Sequence, residues 1–335
     1  MSNTIKNKTM KTKSIKRTGL CIALACCMLA FTMCKKDSNN NNNNNPSVLN
    51  QRVTEYKYYM NDTLFGKCTV TYSGNVITEL MVYDPGQAEM QKTAIQYSGN
   101  SITSVTSYDK HYDTWQKDSM DEVVGYTGDN PNEIIFHAYN NAGNEIDKSR
   151  TTYTYSGSLL TKTDDYHAYT GNWELVNSTA YTYDNNGKIV QESDTSDSWG
   201  YITTYRYESG RMVESLRQAH TYGTLTNEYR ITFEYTNNLM TKSISYEWSY
   251  NAWEKNIETS YTYNEFGNLI SEQYDDPYYN YSMKIVVTYG AGSGNFRQYL
   301  KVMGGENFLP GIPIPYPVKS LCKGLVFPDK NSINL

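Results

Sequence analysis

The histidines are the first side chains to consider as ligands of a metal site or as members of an acid–base pair. Of the four histidines, three stand two positions before a tyrosine, namely His137, His167 and His220. A protein metal site needs three or four converging ligands, usually with cysteine or carboxylate partners at recognisable spacings, and these histidines have none in the sequence. We therefore expect histidine ladders that stack across strands, with no metal and no other cofactor.

Paired carboxylates and one serine are the remaining groups that could do chemistry. Asp164-Asp165 and Asp275-Asp276 could supply the acid and base of a glycosidase, but such pairs are defined by geometry rather than by sequence. The segment Gly290-Ala291-Gly292-Ser293-Gly294 lacks the frame and the following helix of a nucleophile elbow. No phosphate-binding loop, dinucleotide fingerprint or zinc motif occurs. The sequence therefore names no catalytic residue, and we expect a protein that is not an enzyme.

The elements that must position these groups are set by a tyrosine repeat. Tyrosine fills 33 of the 335 positions, and Tyr183-Asp184-Asn185-Asn186-Gly187-Lys188-Ile189-Val190 is nearly repeated at Tyr263-Asn264-Glu265-Phe266-Gly267-Asn268-Leu269-Ile270. Nine marker tyrosines precede such turns at intervals of 24 to 29 residues: Tyr72, Tyr97, Tyr126, Tyr155, Tyr183, Tyr207, Tyr235, Tyr263 and Tyr289. Two strands of about 8–10 residues with two turns fill each interval, which predicts one β-hairpin per repeat.

Residue types alternate with period two inside each repeat, as in a sheet that packs on one face. Tyr153 and Tyr155 share one face while Thr152 and Thr154 share the other. Glycine after the marker tyrosine supplies positive φ, and Asn237 replaces it once. Turns are expected at Ser73-Gly74, Ser98-Gly99, Ser156-Gly157, Asn186-Gly187, Ser209-Gly210 and Phe266-Gly267. We predict an all-β fold, a repetitive antiparallel β-meander of about nine hairpins, curled into a large barrel-like or open twisted sheet.

Tryptophan marks the opposite end of the hairpins. Trp115, Trp173 and Trp253 each lie ten or eleven residues before a marker tyrosine. A repeated position of this kind favours packing over a ligand platform. Trp199 and Trp248 stand outside the frame, so they are the candidates for a ligand surface.

The N-terminus carries a sorting signal. Six basic residues and no acid occur in the first 17 positions, and the apolar run from Gly19 to Met33 is too short for a transmembrane helix. Charge begins directly after Cys34, which favours it over Cys26 and Cys27 as the acylated cysteine of a lipoprotein; the alternative is a plain signal peptide with an incidental cysteine. We therefore expect residues 1–33 to be a lipoprotein signal peptide and residues 34–50 to be the lipidated cysteine with an asparagine-rich disordered tether.

The repeat string, with tryptophan about ten residues upstream, resembles the tyrosine–aspartate repeats of Rhs-type bacterial surface proteins over roughly residues 55–290. With the lipoprotein signal, the chain is similar to a group of Gram-negative lipoproteins of unknown function with a porin-like barrel fold. The resemblance implies architecture and no particular activity. We expect an outer-membrane lipoprotein of a Gram-negative bacterium, surface-exposed or periplasm-facing, whose membrane contact is the lipid anchor.

Composition restricts the partners of the mature chain. Removal of residues 1–33 takes away six positive charges and changes the formal net charge from −5 to −11. This charge argues against nucleic acid as a partner. Buried tyrosine needs hydroxyl partners, so we expect a thin core with bonds to threonine and acids, and an outer face too polar for lipid. Cys68 and Cys322 could form a disulfide, but two buried thiols are favoured.

Two further segments complete the chain. Residues 51–290 form the repeat body, and residues 291–335 form a cap that holds five of the nine prolines. The body is expected to act as a binding or structural module for glycan or peptide, with aromatic contacts. The alternatives are a hydrolase acting on envelope or dietary polysaccharide and a passive shell or spacer, and a fold-level resemblance does not separate them.

Overall fold

The computed structural model describes residues 51–169, 171–194, 199–265, 267–276 and 281–292. The predicted signal peptide, the tether and nearly all of the proline-rich cap lie outside these residues. None of the described residues belongs to a helix long and apolar enough to cross a membrane. They form eighteen β-strands: β1 Gln51–Met60, β2 Thr63–Ser73, β3 Val76–Tyr83, β4 Glu89–Ser98, β5 Ser101–His111, β6 Thr114–Thr127, β7 Asn130–Tyr139, β8 Glu145–Ser156, β9 Leu159–Tyr169, β10 Asn172–Tyr183, β11 Ile189–Asp194, β12 Trp199–Glu208, β13 Arg211–Thr221, β14 Thr224–Thr236, β15 Leu239–Ser249, β16 Ala252–Tyr263, β17 Leu269–Asp276 and β18 Tyr281–Ala291.

The sheet closes into a barrel. Each strand pairs antiparallel with the next, and β18 pairs with β1 from Gln51 opposite Ala291 to Met60 opposite Met283. The predicted all-β meander of nine hairpins is therefore confirmed. The open twisted sheet is excluded, because a closed barrel leaves no edge strand.

The barrel has two distinct ends. The proximal end holds Gln51, Ala291 and the turns that follow the marker tyrosines. The distal end holds the other turns, including Tyr112-Asp113, Tyr222-Gly223 and Tyr250-Asn251. Odd-numbered strands therefore run from the proximal to the distal end.

Marker tyrosines join each hairpin to the preceding one. In the proximal hairpins the register shifts at the marker, as between Thr71 and Tyr72, because a β-bulge adds one residue, Thr78, to the following strand. Eight markers donate a hydroxyl hydrogen bond to a backbone carbonyl: Tyr72 to Val53 (2.9 Å), Tyr97 to Ile77 (2.8 Å), Tyr126 to Ile102 (2.6 Å), Tyr155 to Pro131 (2.9 Å), Tyr183 to Leu160 (2.6 Å), Tyr235 to Met212 (2.7 Å), Tyr263 to Met240 (2.7 Å) and Tyr289 to Leu269 (2.8 Å). The marker hydroxyls thus bond to the backbone, while Tyr181 bonds to Thr163 (3.2 Å) and Tyr205 bonds to Glu192, as the sequence predicts for buried tyrosines.

All nine marker tyrosines are partly buried, and one of them differs from the others in the hydrogen bonding of its hydroxyl. Burial raises the pKa of Tyr126 and of Tyr155 to about 12. Tyr207 is buried like the other markers, but its hydroxyl has no hydrogen-bond partner among the described residues.

The turn predictions are confirmed by positive φ at the expected glycines. Values between 59° and 82° occur at Gly74, Gly99, Gly157, Gly187, Gly210 and Gly267, and Asn237 has φ of 50°. Phe266 lies outside the described residues. In the longer loop after Tyr183, the Asp184 carboxylate accepts hydrogen bonds from the amides of Asn186 (2.9 Å) and Lys188 (2.8 Å). The aspartate of the repeat therefore closes the turn.

The buried aliphatic side chains line the lumen. Ile77, Ile102, Ile189, Met212 and Leu269 are almost completely inaccessible to solvent. From β8 to β17 these residues lie toward the proximal end, and polar residues continue the same face distally. On β10, for example, the lumenal positions from proximal to distal are Tyr181, Thr179 and Asn177, so the lumen changes from apolar to polar along its length.

The exterior carries a repeated cation–aromatic stack near the distal end. Each stack has a basic residue, a tyrosine 16 positions later and a tryptophan seven positions after that. The charge-to-centroid distances are 5.0 and 5.0 Å for Lys92 over Tyr108 and Trp115, 4.2 and 5.0 Å for Arg150 over Tyr166 and Trp173, and 5.1 and 5.8 Å for Arg230 over Tyr246 and Trp253. The framed tryptophans therefore pack against the barrel wall, as the sequence predicts.

Candidate ligand-binding cavity

A polar cavity of about 210 Å³ lies on the lumenal face between β9 and β13. It is lined by Thr163, Asp165, Asn177, Thr179, Tyr181, Glu192, Asp194, Tyr201, Thr203 and Arg217. The register brings these residues together, because Asp165 pairs with Asn177, and Thr203 lies between Glu192 and Arg217. Alternation with period two then turns all of them to the lumen.

Three carboxylates face the cavity, and a hydroxyl group orients each of them. Thr151 Oγ1 donates to Asp165 Oδ1 (2.6 Å), Thr179 Oγ1 donates to Asp194 Oδ1 (2.8 Å), and the Tyr205 hydroxyl donates to Glu192 Oε1. Charge-assisted hydrogen bonds of this type fix the direction of the carboxylate plane. The cavity is thus a preformed arrangement of oxygen acceptors.

The acidity of Asp165 is changed by its surroundings. Burial raises its pKa above the ordinary value, and the nearby charges of Asp194 and Asp164 add to the rise. Hydrogen bonds from Thr151 and Asn177 oppose the rise without cancelling it. Asp165 therefore takes up a proton more readily than an exposed aspartate.

Among the described residues that line the cavity, one is a cation, Arg217. Its guanidinium carbon lies 3.7 Å from the centroid of the Tyr201 ring, and its Nε lies 3.1 Å from Glu228 Oε2. The N–H does not point at that oxygen, so the pair is an electrostatic contact rather than a hydrogen bond. Because Glu228 already balances Arg217, the cavity as a whole remains acidic.

This arrangement suits a ligand rich in hydroxyl or ammonium groups. Carboxylate oxygens accept hydrogen bonds from such groups, and Tyr201, whose ring is covered by Arg217 on one face, places an aromatic ring beside them. Within the described residues, no three His, Cys, Asp or Glu side chains are placed to hold a metal ion.

The two tryptophans predicted to form a ligand surface lie on opposite faces of the wall. Trp248 is on the exterior, where its ring centroid is 4.9 Å from that of Trp253. Trp248 therefore packs on a framed tryptophan, and its part in a ligand surface stays a prediction. Trp199 shares the lumenal face with Tyr201, 6.0 Å away, and is 58% exposed at the distal end. The sequence missed their separation because strand register decides which face a residue occupies.

The predicted histidine ladder does not form. His137 lies on the exterior between Glu122 (3.2 Å) and Glu145 (2.6 Å). His167 faces the lumen, with Nδ1 3.5 Å from Asp147. The histidine–tyrosine contacts are local, within one strand, because β7 and β9 are not neighbours.

The adjacent Asp164 and Asp165 lie on opposite faces of β9, because consecutive residues of a strand alternate between its faces. Asp164 lies on the exterior, 2.9 Å from Lys162, while Asp165 faces the cavity. Cys68 is buried in the lumen. Cys34, Cys322 and Ser293 lie outside the described residues.

Sequence reasoning missed most of the cavity. Glu192 and Asp194, like Tyr201 and Thr203, are two residues apart and must share a face of a strand. That alternation in the sequence could have shown which residues share a face of one strand. It does not show which strands are neighbours, and the cavity is built from several neighbouring strands.

Comparisons with known proteins find matches among solved structures but not among family models or curated proteins. No protein-family model and no curated protein matches the chain. Among solved structures, the chain is similar to porin-like proteins from Bacteroides uniformis (12% identity, TM-score 0.36) and Bacteroides vulgatus (11% identity, TM-score 0.32); each match covers 71% of this chain and 98% of the other. It is also similar to TcdB2-TccC3-TEV (12% identity, TM-score 0.26), covering 70% of this chain and 15% of that one. Likenesses of this size carry no argument, and the barrel is established by its own strand pairing.

Proposed function

We propose that this protein is a lipid-anchored barrel of the bacterial envelope that binds carbohydrate in its lumenal cavity. The observation that supports this most is the set of three oriented carboxylates beside the Tyr201 ring. Sugars present hydroxyl donors around an apolar ring face, and this cavity presents acceptors beside an aromatic face.

The charge of the cavity restricts the sugar class. Asp165, Glu192 and Asp194 outnumber Arg217, which Glu228 already balances. An anionic sugar would meet like charge in a partly desolvated site, whereas a neutral or amino sugar would not. The proposed ligand is therefore a neutral or amino-sugar glycan.

The anchor would attach at the proximal end of the barrel. If Cys34 is acylated, the tether reaches the barrel at Gln51, which lies at the proximal end. The distal end, toward which the polar part of the lumen extends, is then the end opposite the attachment point. This attachment leaves the polar end of the lumen free for a glycan from outside the membrane.

The direct test compares two adjacent aspartates on opposite faces of β9. Asp165→Asn removes a charge from the cavity, while Asp164→Asn removes one from the exterior. Both variants of residues 51–335 are screened with the wild type on neutral, amino and anionic glycans and on peptidoglycan fragments. We expect the wild type and Asp164→Asn to bind the same neutral or amino glycan and Asp165→Asn to lose most of that binding. No binding by the wild type, or equal loss in both variants, contradicts the proposal.

A glycoside hydrolase is the second candidate, favoured by the raised pKa of Asp165. A carboxylic acid held protonated near an ionised carboxylate is the arrangement that glycosidases use. Asp165 and Asp194 line the same cavity. Release of reducing ends from a bound glycan, abolished by Asp165→Asn without loss of binding, would identify an enzyme; binding without release supports the binding module.

A further inference from the structure

Three hairpin tips at the distal end carry tyrosine where the backbone is unfavourable for it. Tyr112, Tyr222 and Tyr250 have φ of 55°, 47° and 48°. Glycine and asparagine are the residues that adopt this conformation readily, and a bulky side chain adopts it at a cost. The same turn position holds Asn61 in the β1–β2 hairpin, with φ of 45°, so the fold itself accepts asparagine there.

Burial does not compensate for this cost. The three side chains are 100%, 84% and 95% exposed. A residue type that is strained and makes little contact with its own protein contributes nothing evident to folding. Strained residues of this kind tend to occur where a protein meets a ligand.

Two of these tyrosines lie near the mouth of the cavity. Thr221, the residue before Tyr222, pairs with Trp199, which shares the lumenal face with Tyr201 of the cavity. Tyr250 is at the tip of the next distal hairpin, two strands away, or about 10 Å along the rim. Tyr112 is eight strands from Tyr222 in the eighteen-stranded barrel and so lies across the rim.

We propose that Tyr222, Tyr250 and Trp199 form an aromatic platform on the distal rim that holds a polysaccharide chain across the cavity mouth. This inference rests on the proposed function and extends it from a sugar to a polymer. Trp199, whose ring centroid is 6.0 Å from that of Tyr201, connects the cavity to the rim, so one chain can contact both places, whereas neither Tyr222 nor Tyr250 lines the cavity that would hold a disaccharide. Aromatic faces stack on sugar rings without regard to exact sequence, which suits a repeating chain.

The test uses asparagine, because asparagine fits the turn. Tyr222→Asn and Tyr250→Asn are combined in one variant of residues 51–335, and Tyr112→Asn is the matched control with the same turn geometry and exposure. The probes are soluble α-mannan, β-glucan, xylan and glycol chitosan, each with its own disaccharide. Affinity is measured by calorimetry, and melting temperature is measured in parallel.

We expect the double variant to melt no lower than the wild type, to lose about tenfold or more in affinity for the polymer, and to keep its affinity for the disaccharide. The control should bind both as the wild type does. Unchanged polymer affinity in the double variant, or an equal loss in the control, overturns the platform and leaves the cavity proposal standing. A wild type that binds none of these probes overturns both.

Discussion

Tyr235 and Tyr207 occupy equivalent places in successive repeats and differ in one hydrogen bond. The Tyr235 hydroxyl donates to the Met212 carbonyl at 2.7 Å, whereas the buried Tyr207 hydroxyl has no hydrogen-bond partner in the part of the chain that the structure describes. Phenylalanine at either position keeps the ring and removes only the hydroxyl. The pair therefore isolates the energetic value of the bond that recurs around the barrel.

The expected effects have opposite signs. A net hydrogen bond contributes about 0.5–1.5 kcal/mol, so Tyr235→Phe should destabilise the barrel by about 1 kcal/mol. Tyr207→Phe removes a buried polar group that has no partner, so it should leave the free energy of unfolding unchanged or raise it. In a domain of this size, 1 kcal/mol corresponds to a change in melting temperature of about 2–4 °C.

Urea denaturation of residues 51–335, followed by tryptophan fluorescence, measures this difference. The denaturation midpoint of Tyr235→Phe should fall with an unchanged slope, while that of Tyr207→Phe should stay level or rise. If both variants lose equal stability, or if Tyr207→Phe loses more, the hydroxyl-to-carbonyl bonds do not stabilise the barrel as argued.

Four further outcomes follow from the structure and the sequence. Gly187→Val places a β-branched residue at φ of 73° and should cost at least ~1 kcal/mol in thermal unfolding; an unchanged melting temperature contradicts the turn geometry. Because burial raises the pKa of Asp165, the wild type should lose stability relative to Asp165→Asn as pH rises from about 3.8 to the higher folded-state pKa, with a constant difference above it; a pH-independent difference across melting curves refutes this. Trp248→Ala should lower the melting temperature through lost packing, and Trp199→Ala should not; equal losses would place both in the wall. Cys34→Ala should move the protein from the membrane fraction to the soluble fraction in immunoblots, and retention in the membrane argues against the lipid.

The repeat made the fold predictable to the level of hairpins. Tyr155 and Gly157 fix a strand, a turn and a spacing, and these signals are local. Closure depends on β1 meeting β18, and no local pattern encodes a contact between residues such as Gln51 and Ala291. The backbone bonds of the marker tyrosines were likewise hidden, because their acceptors lie about one repeat earlier and carry no side-chain signal.

The cavity was harder to predict than the fold. Asp164 and Asp165 look like a pair in sequence, yet consecutive residues of a strand face opposite sides of the wall. Asp165 instead meets Asp194, through strand neighbours that only the full topology supplies. Trp199 and Trp248 were grouped because both stand outside the repeated tryptophan spacing, but the strand register places them on opposite faces of the wall.

Filling the cavity tests the central claim most directly. Thr203 lines the cavity, and Thr204, the next residue, is exposed on the exterior. Thr203→Phe and Thr204→Phe therefore add the same bulk to opposite sides of one strand, and calorimetry with the glycan bound by the wild type compares them. Abolished binding in folded Thr203→Phe with wild-type affinity in Thr204→Phe is the predicted result. Wild-type affinity in folded Thr203→Phe would show that the ligand binds elsewhere and would contradict the account.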